Sequence, residues 1–174
     1  MFTWQYEGND MKVYADSNFA GCKLTRKSTS GGCVMIGNHY IRGWSKTQAV
    51  ISLSSGEAEL AGIVKGTCEA IGARSIGKDL GRDLEGVVFT DSSAALSMTG
   101  RVGAGKIRHL DTSMLWVQHK QARGEVEYHK VLGSNNVADL WTKNVDHIVR
   151  NKHMIQIGFR YEEGRADKAV ELNL

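Results

Sequence analysis

Ser52-Leu-Ser-Ser-Gly-Glu-Ala-Glu-Leu-Ala-Gly-Ile63 is a polar turn running into a helix, and it carries two glutamates, Glu57 and Glu59. At about 100° per helical residue, positions two apart point to nearly opposite sides. One glutamate can therefore serve a site while the other serves the helix itself. Helical spacing continues to about Leu80, with Leu60, Ile63, Val64, Thr67, Cys68 and Ile71 on one apolar stripe. Gly62, Gly66, Gly72 and Gly77 interrupt it, each costing about 1 kcal/mol relative to alanine. Two helices or one kinked helix fit this pattern, and close packing of the helix on a sheet would compensate the glycines.

Upstream of this helix the chain reads as strands. Met11-Lys-Val-Tyr-Ala-Asp16 alternates and is rich in β-formers, so it predicts a short strand ending on a carboxylate. Residues 17–32 read as a polar, basic loop of turn formers. Cys33-Val-Met-Ile36, Gly37-Asn38 and His39-Tyr-Ile-Arg-Gly-Trp44 predict strand, two-residue turn and strand.

Downstream, Val87-Val-Phe-Thr90 predicts a strand, and Asp91 opens a helix of small residues. A glycine-rich basic loop spans residues 100–107, before a helix expected from about Arg108 to Arg123 with Gly124 as its stop. Glu125 to Val131 alternates as a last strand, residues 133–136 turn, and a helix starts near Val137 that includes Asp139. The boundaries are a lead-in over 1–10, a domain over 11–143, and a C-terminal helix with a charged tail over 144–174. Three strands followed by helix, strand, helix, strand and helix predict an α/β fold with a mixed sheet.

A chain of 174 residues, 41% hydrophobic, is large enough to fold around one core without disulfides or a structural metal. Its three cysteines lack Cys-x-x-Cys spacing, which argues against a zinc site and predicts reduced, buried thiols. No signal pattern and no apolar run near 18 residues appears, so a soluble intracellular setting is expected. A net charge of +3 does not by itself indicate a nucleic-acid partner.

The carboxylates carry more information. If the first and fourth strands are parallel neighbours, Asp16 and Asp91 emerge at the same strand ends, where α/β sheets place ligands. A glutamate from the helix after residue 54 can join them. Converging carboxylates without counter-charge raise one another's pKa values and call for a hard cation, of which magnesium suits best. Against this, each aspartate at a helix start is ordinarily a cap.

Seven blocks occur in order: Tyr14 to Cys22, Thr25 to Gly31, Trp44-Ser-Lys46, Ser52 to Leu60, Thr90 to Ala95, Arg108-His-Leu-Asp111 and Ala138-Asp-Leu-Trp-Thr-Lys143. Over roughly residues 8–158 they resemble the ribonuclease H domain of copia-type retrotransposon polyproteins. The resemblance implies a ribonuclease H-like fold with strand order 3-2-1-4-5. It implies metal-dependent cleavage of the RNA strand of RNA-DNA hybrids, with Asp16, Glu59, Asp91 and Asp139 as the four metal-binding carboxylates. It further implies two magnesium ions, with manganese able to substitute, and a reverse transcriptase upstream in the parent polyprotein. Location in the cytoplasm or a retroelement particle follows. The alternative is a degenerate domain that keeps the fold and binds nucleic acid or supports a reverse transcriptase without cutting.

Within that frame, Ser54-x-x-Glu57 reads as a capping box, in which the glutamate returns to the amide of the cap. Glu59, on the opposite side, aligns with the family's metal ligand. Lys23, Arg26, Lys27 and Ser28 in one loop and Lys106 and Arg108 in another are candidate phosphate contacts. His129 is expected within a strand rather than in a catalytic loop, and Trp44, Trp116 and Trp141 in the core. The Arg-His-Leu-Asp block gives His109 either a substrate contact or a hydrogen bond at a helix start, of which the second is the simpler reading.

Overall fold

The computed structural model of the chain describes residues 8–103, 105 and 112–159. Strands β1 (Asp10–Asn18), β2 (Thr29–Ile36) and β3 (His39–Thr47) form an antiparallel meander. Helix α1 (Ser55–Asp79) then crosses to β4 (Glu85–Thr90), which pairs with β1 in parallel. Helices α2 (Ser93–Thr99) and α3 (Trp116–Ala122) lead to β5 (Glu127–Lys130), which pairs with β4 in parallel. Short α4 (Asp139–Thr142) and α5 (His147–Gln156) complete the described fold. The sheet order is β3-β2-β1-β4-β5.

α1 is one helix of 25 residues, so the glycines neither break it nor split it. Gly62 and Gly66 face the sheet, whereas Gly72 is exposed and Gly77 packs against Leu84. A Cβ on Gly62 would lie 3.1 Å from the carbonyl oxygen of Asp16, and one on Gly66 would lie 3.2 Å from the Cβ of Ala15. The missing side chains let α1 settle directly on β1 beside Asp16. Leu60, Ile63, Thr67 and Ala70 bury there against Met11, Val13 and Val88. Cys68 is exposed, contrary to the expected buried thiols; of the three free cysteines only Cys33 is buried, and burial pushes its thiol up to about 12.

The capping box forms with one change. The hydroxyl of Ser54 accepts from the Glu57 amide at 3.2 Å, but the Glu57 carboxylate accepts from the Leu53 amide at 2.7 Å, one residue before the cap. This contact anchors the preceding turn as well, and Glu57 is buried.

β2 starts at Thr29, four residues earlier than expected, and takes in Ser30, Gly31 and Gly32. These residues have turn-former identities, yet each meets an interior demand. The hydroxyl of Ser30 accepts from the side-chain amide of Gln48 at 2.9 Å. A Cβ on Gly32 would fall 2.0 Å from the carbonyl oxygen of Tyr14 and 2.5 Å from the ring of Trp44. The hairpin turn at Gly37-Asn38 occurs as read, with Gly37 at φ 57°.

Where a helix was expected from Arg108, the described part begins as a 3-10 turn over Thr112–Leu115 and becomes α3 only at Trp116. On the opposite face of the sheet, α4 and α5 pack Val137, Leu140, Trp141, Met154 and Ile157 against Cys33, Met35 and Tyr40. The ring of Trp141 stacks on Tyr40 with centroids 5.9 Å apart. Among the described residues, no helix is long and apolar enough to cross a membrane.

Candidate active site

Asp16 sits two residues from the end of β1, and Asp91 follows the last residue of β4 directly. Parallel pairing of these neighbouring strands brings both to one edge of the sheet. Glu59 reaches the same edge from the second turn of α1, because Gly62 one turn later lets that helix sit against the backbone of Asp16. Ligand oxygens of Asp16, Glu59 and Asp91 all lie within 4.8 Å of one another. Asp139, at the start of α4, does not belong to that group; its Oδ1 accepts from Lys143 Nζ at 2.7 Å.

The same ammonium lies 3.3 Å and 3.4 Å from the two oxygens of Asp16, which is 1% exposed. Thr142 donates its hydroxyl to Asp16 Oδ2. Asn136, fully buried, donates through Nδ2 to the carbonyl of Ala15 at 3.3 Å and to Asp91 Oδ1 at 3.4 Å. Asn136, Thr142 and Lys143 escaped the reading of the sequence as site residues. Their one visible signal was position, since Thr142 and Lys143 stand three and four residues after Asp139, on its own helical face.

A further buried hub supports the backbones that carry Asp16 and Glu59. Gln48 donates to the hydroxyls of Ser17 and Ser30 and to the carbonyl of Ala58, and accepts from Ser52. Ser17 and Ala58 are the direct chain neighbours of Asp16 and Glu59, so one amide ties β1, β2 and α1 together behind the carboxylates.

Electrostatics follow from this crowding. Burial is the largest influence on Glu59 and, with the charges of Asp16 and Asp91, pushes its carboxyl from 4.5 up to about 8, against the opposing pull of Lys143. Glu59 Oε2 is buried without a hydrogen-bond partner. Asp139 is also raised, chiefly by burial, with the Lys143 hydrogen bond working in the other direction. Burial alone would lower Lys143, but its hydrogen bond to Asp139 and the charges of Asp16 and Asp139 lift it above its ordinary value.

A buried oxygen without a donor, in a set made wholly of carboxylates, fits a hard, oxygen-seeking divalent cation. An octahedral ion with bonds of about 2.1 Å places opposite ligands about 4.2 Å apart, so oxygens spread over 4.8 Å need to draw in by less than about 1 Å. The residues present therefore fit such an ion.

Of the expected phosphate contacts, Lys23 and Arg26 are exposed and Lys27 is half-buried, in the loop that leaves the site end of β1. The loop is closed by hydrogen bonds between Cys22 and Lys27 and between Arg26 and Cys22. Ser28, expected beside them, is instead 0% exposed, with its hydroxyl accepting from the Ala20 amide. Lys106, Arg108 and His109 lie outside the described residues. His129 lies on β5 as expected, exposed and paired with Glu127 at 3.0 Å.

Sheet order, crossover helix and the placement of the carboxylates define a ribonuclease H-like fold. Among solved structures, the fold is shared with an RNase H1 recovered from compost by a metagenomic approach, at a TM-score of 0.58 and 17% identity over 78% of this chain and 94% of that one. The same enzyme in complex with an RNA/DNA hybrid superposes at 0.51, with 14% identity over 76% and 93% of the two chains. The N-terminal RNase H domain of a Mycobacterium tuberculosis protein superposes at 0.53, with 22% identity over 76% and 90%. In sequence, the chain is similar to the retrovirus-related Pol polyprotein from transposon TNT 1-94 of Nicotiana tabacum, 28% identical over 151 residues and 84% of this chain. It spans 11% of that polyprotein's length. No protein-family model matches the chain.

Proposed function

We propose that this domain hydrolyses the RNA strand of RNA-DNA hybrids in a metal-dependent reaction, as the ribonuclease H part of a copia-type retroelement polyprotein that also carries a reverse transcriptase. The observation that carries this reading is the convergence of Asp16, Glu59 and Asp91 from three separate elements onto one sheet edge. Asp139 and Lys143 border that cluster.

Divalent ions held there, magnesium or manganese, would supply an activated water and stabilise the departing 3′-oxygen of the cut strand. The chain's own part is to hold and aim. Asp16 is fixed by Thr142, Asp91 by Asn136, and the backbones beside Asp16 and Glu59 by Gln48. Lys23, Arg26 and Lys27 offer positive charge beside the site, suited to the phosphates of a duplex without regard to base sequence. The Pol relative and the hybrid-bound RNase H1 support the choice of substrate and setting.

Labelled hybrid incubated with the protein and Mg²⁺ or Mn²⁺ tests the proposal. Cleavage of the RNA strand that falls to background in Asp91→Asn is the expected result. Hybrid binding without cleavage under any metal condition would instead support the non-catalytic alternative.

A further inference from the structure

Lys143 raises a question that the four carboxylates alone do not. Its ammonium stands 2.7 Å from Asp139 and 3.3 Å from Asp16, between the one carboxylate outside the cluster and the most deeply buried one within it. We propose that Lys143 is a tethered counter-ion filling the gap between Asp16 and Asp139. It must leave that gap before a divalent ion can bind there, so two ions load in a fixed order. The first enters at Asp16, Glu59 and Asp91, and the second in exchange for the lysine. The inference rests on the proposed metal-dependent function.

Sterics and charge both require the exchange. A divalent ion bridging Asp16 and Asp139 would take oxygens at about 2.1 Å. An ammonium hydrogen-bonded to the same two carboxylates occupies that volume and repels the incoming ion. The place beside Glu59 is less obstructed: there the ammonium contacts Asp16 alone, and Glu59 Oε2 is buried with no hydrogen-bond partner among the described residues. Asp16 belongs to both places, and its carboxylate is already held at Oδ2 by Thr142.

Lys143 is also built to move. It caps α4 in an extended conformation, φ −130° and ψ 152°, where the chain leaves the helix. Its side chain is 41% exposed, so the path outward is open. A lysine carries its charge as a point on a flexible four-carbon stem, without the planar fork that would lock an arginine onto one carboxylate. Once displaced, the ammonium remains tethered at the mouth of the site, within reach of a substrate phosphate.

Two measurements on the folded protein test the order of loading. Calorimetric titration with Mn²⁺ is expected to show a second step at least tenfold weaker than the first in the wild type. In Lys143→Met the second step should tighten at least tenfold, and in Lys143→Arg it should remain weak. Independently, acylation of lysines in the wild type, mapped by mass spectrometry, should rise several-fold at Lys143 on saturation with Mn²⁺, while Lys23 and Lys27 stay constant. The proposal is overturned if Lys143→Met leaves the second step unchanged, if wild type and variant both bind a single ion, or if Lys143 reacts equally with and without Mn²⁺. Hybrid cleavage measured alongside separates the two readings. Absence of cleavage with ordered loading refutes the function and not the exchange, whereas cleavage with an unaltered isotherm refutes the exchange alone.

Discussion

Replacing Glu59 by glutamine should stabilise the metal-free protein while removing a group its proposed activity needs. Folding holds this carboxyl near 8 rather than 4.5, through burial first and the charges of Asp16 and Asp91 second. Below pH 4.5 the proton is bound in folded and unfolded chains alike, and Glu59 contributes nothing to pH dependence. Between 4.5 and about 8 the unfolded chain releases a proton that the folded chain retains, so stability falls as pH rises, and above 8 the full penalty is present. At about 1.4 kcal/mol per pH unit, the ceiling is roughly 5 kcal/mol. Water reaching the partly exposed side chain reduces this to on the order of 2 kcal/mol. Glutamine keeps the shape and abolishes the titration. Urea unfolding followed by tryptophan fluorescence, in EDTA from pH 5 to 9, should show Glu59→Gln gaining on the wild type as pH rises, levelling above 8. Saturating Mn²⁺ should reverse the ranking, because the ion stabilises the carboxylate form more than the amide. Parallel pH curves for the two proteins in EDTA, or a variant weaker than wild type at pH 8.5, would refute the reasoning.

Glu57→Gln offers the contrast: hybrid cleavage stays near wild type, and the loss of a charged acceptor for the Leu53 amide costs at most about 1 kcal/mol in a urea titration. Gly32→Ala should fare far worse, since the added carbon meets the Tyr14 carbonyl and the Trp44 ring inside the sheet; about 3 kcal/mol or more is expected, read as a lowered thermal midpoint. Lys23→Gln combined with Lys27→Gln should weaken hybrid binding without changing the cleavage pattern. It should also flatten the plot of log affinity against log salt by about 1 for each lysine that contacts phosphate. An unchanged slope would remove this loop from the binding surface.

Local chemistry carried much of the architecture in readable form. Gly37-Asn38 marks a hairpin because few residues tolerate the backbone a tight turn requires. Ser54 and Glu57 mark a helix start because their side chains bond within four residues of themselves. Asp91 after Val-Val-Phe-Thr marks the end of a parallel strand. Ser28 to Gly32 was unreadable for the opposite reason. Its turn-former composition is set by partners distant in sequence, Gln48 for Ser30 and Trp44 for Gly32. The same holds at the site. Periodicity and caps single out carboxylates, but they cannot announce that Asn136 reaches Asp91 across 45 residues or that Lys143 lies between Asp16 and Asp139. Nor does a stripe of apolar positions distinguish glycines that break a helix from glycines that let it approach a strand, as Gly62 and Gly66 do.

The hydrogen bond from Thr142 to Asp16 spans 126 residues of chain. During synthesis β1 emerges before α4, so Asp16, Glu59 and Asp91 are all made before their final clasp. Until residues 136–143 dock, Asp91 lacks Asn136, and Asp16 lacks both Thr142 and the ammonium of Lys143. A chain that ends before residue 136 thus keeps Asp16, Glu59 and Asp91 and the Gln48 hub but none of these three partners. Residues 136–143 are thus a late clasp, laid onto a centre whose Asp16, Glu59 and Asp91 all come earlier in the chain.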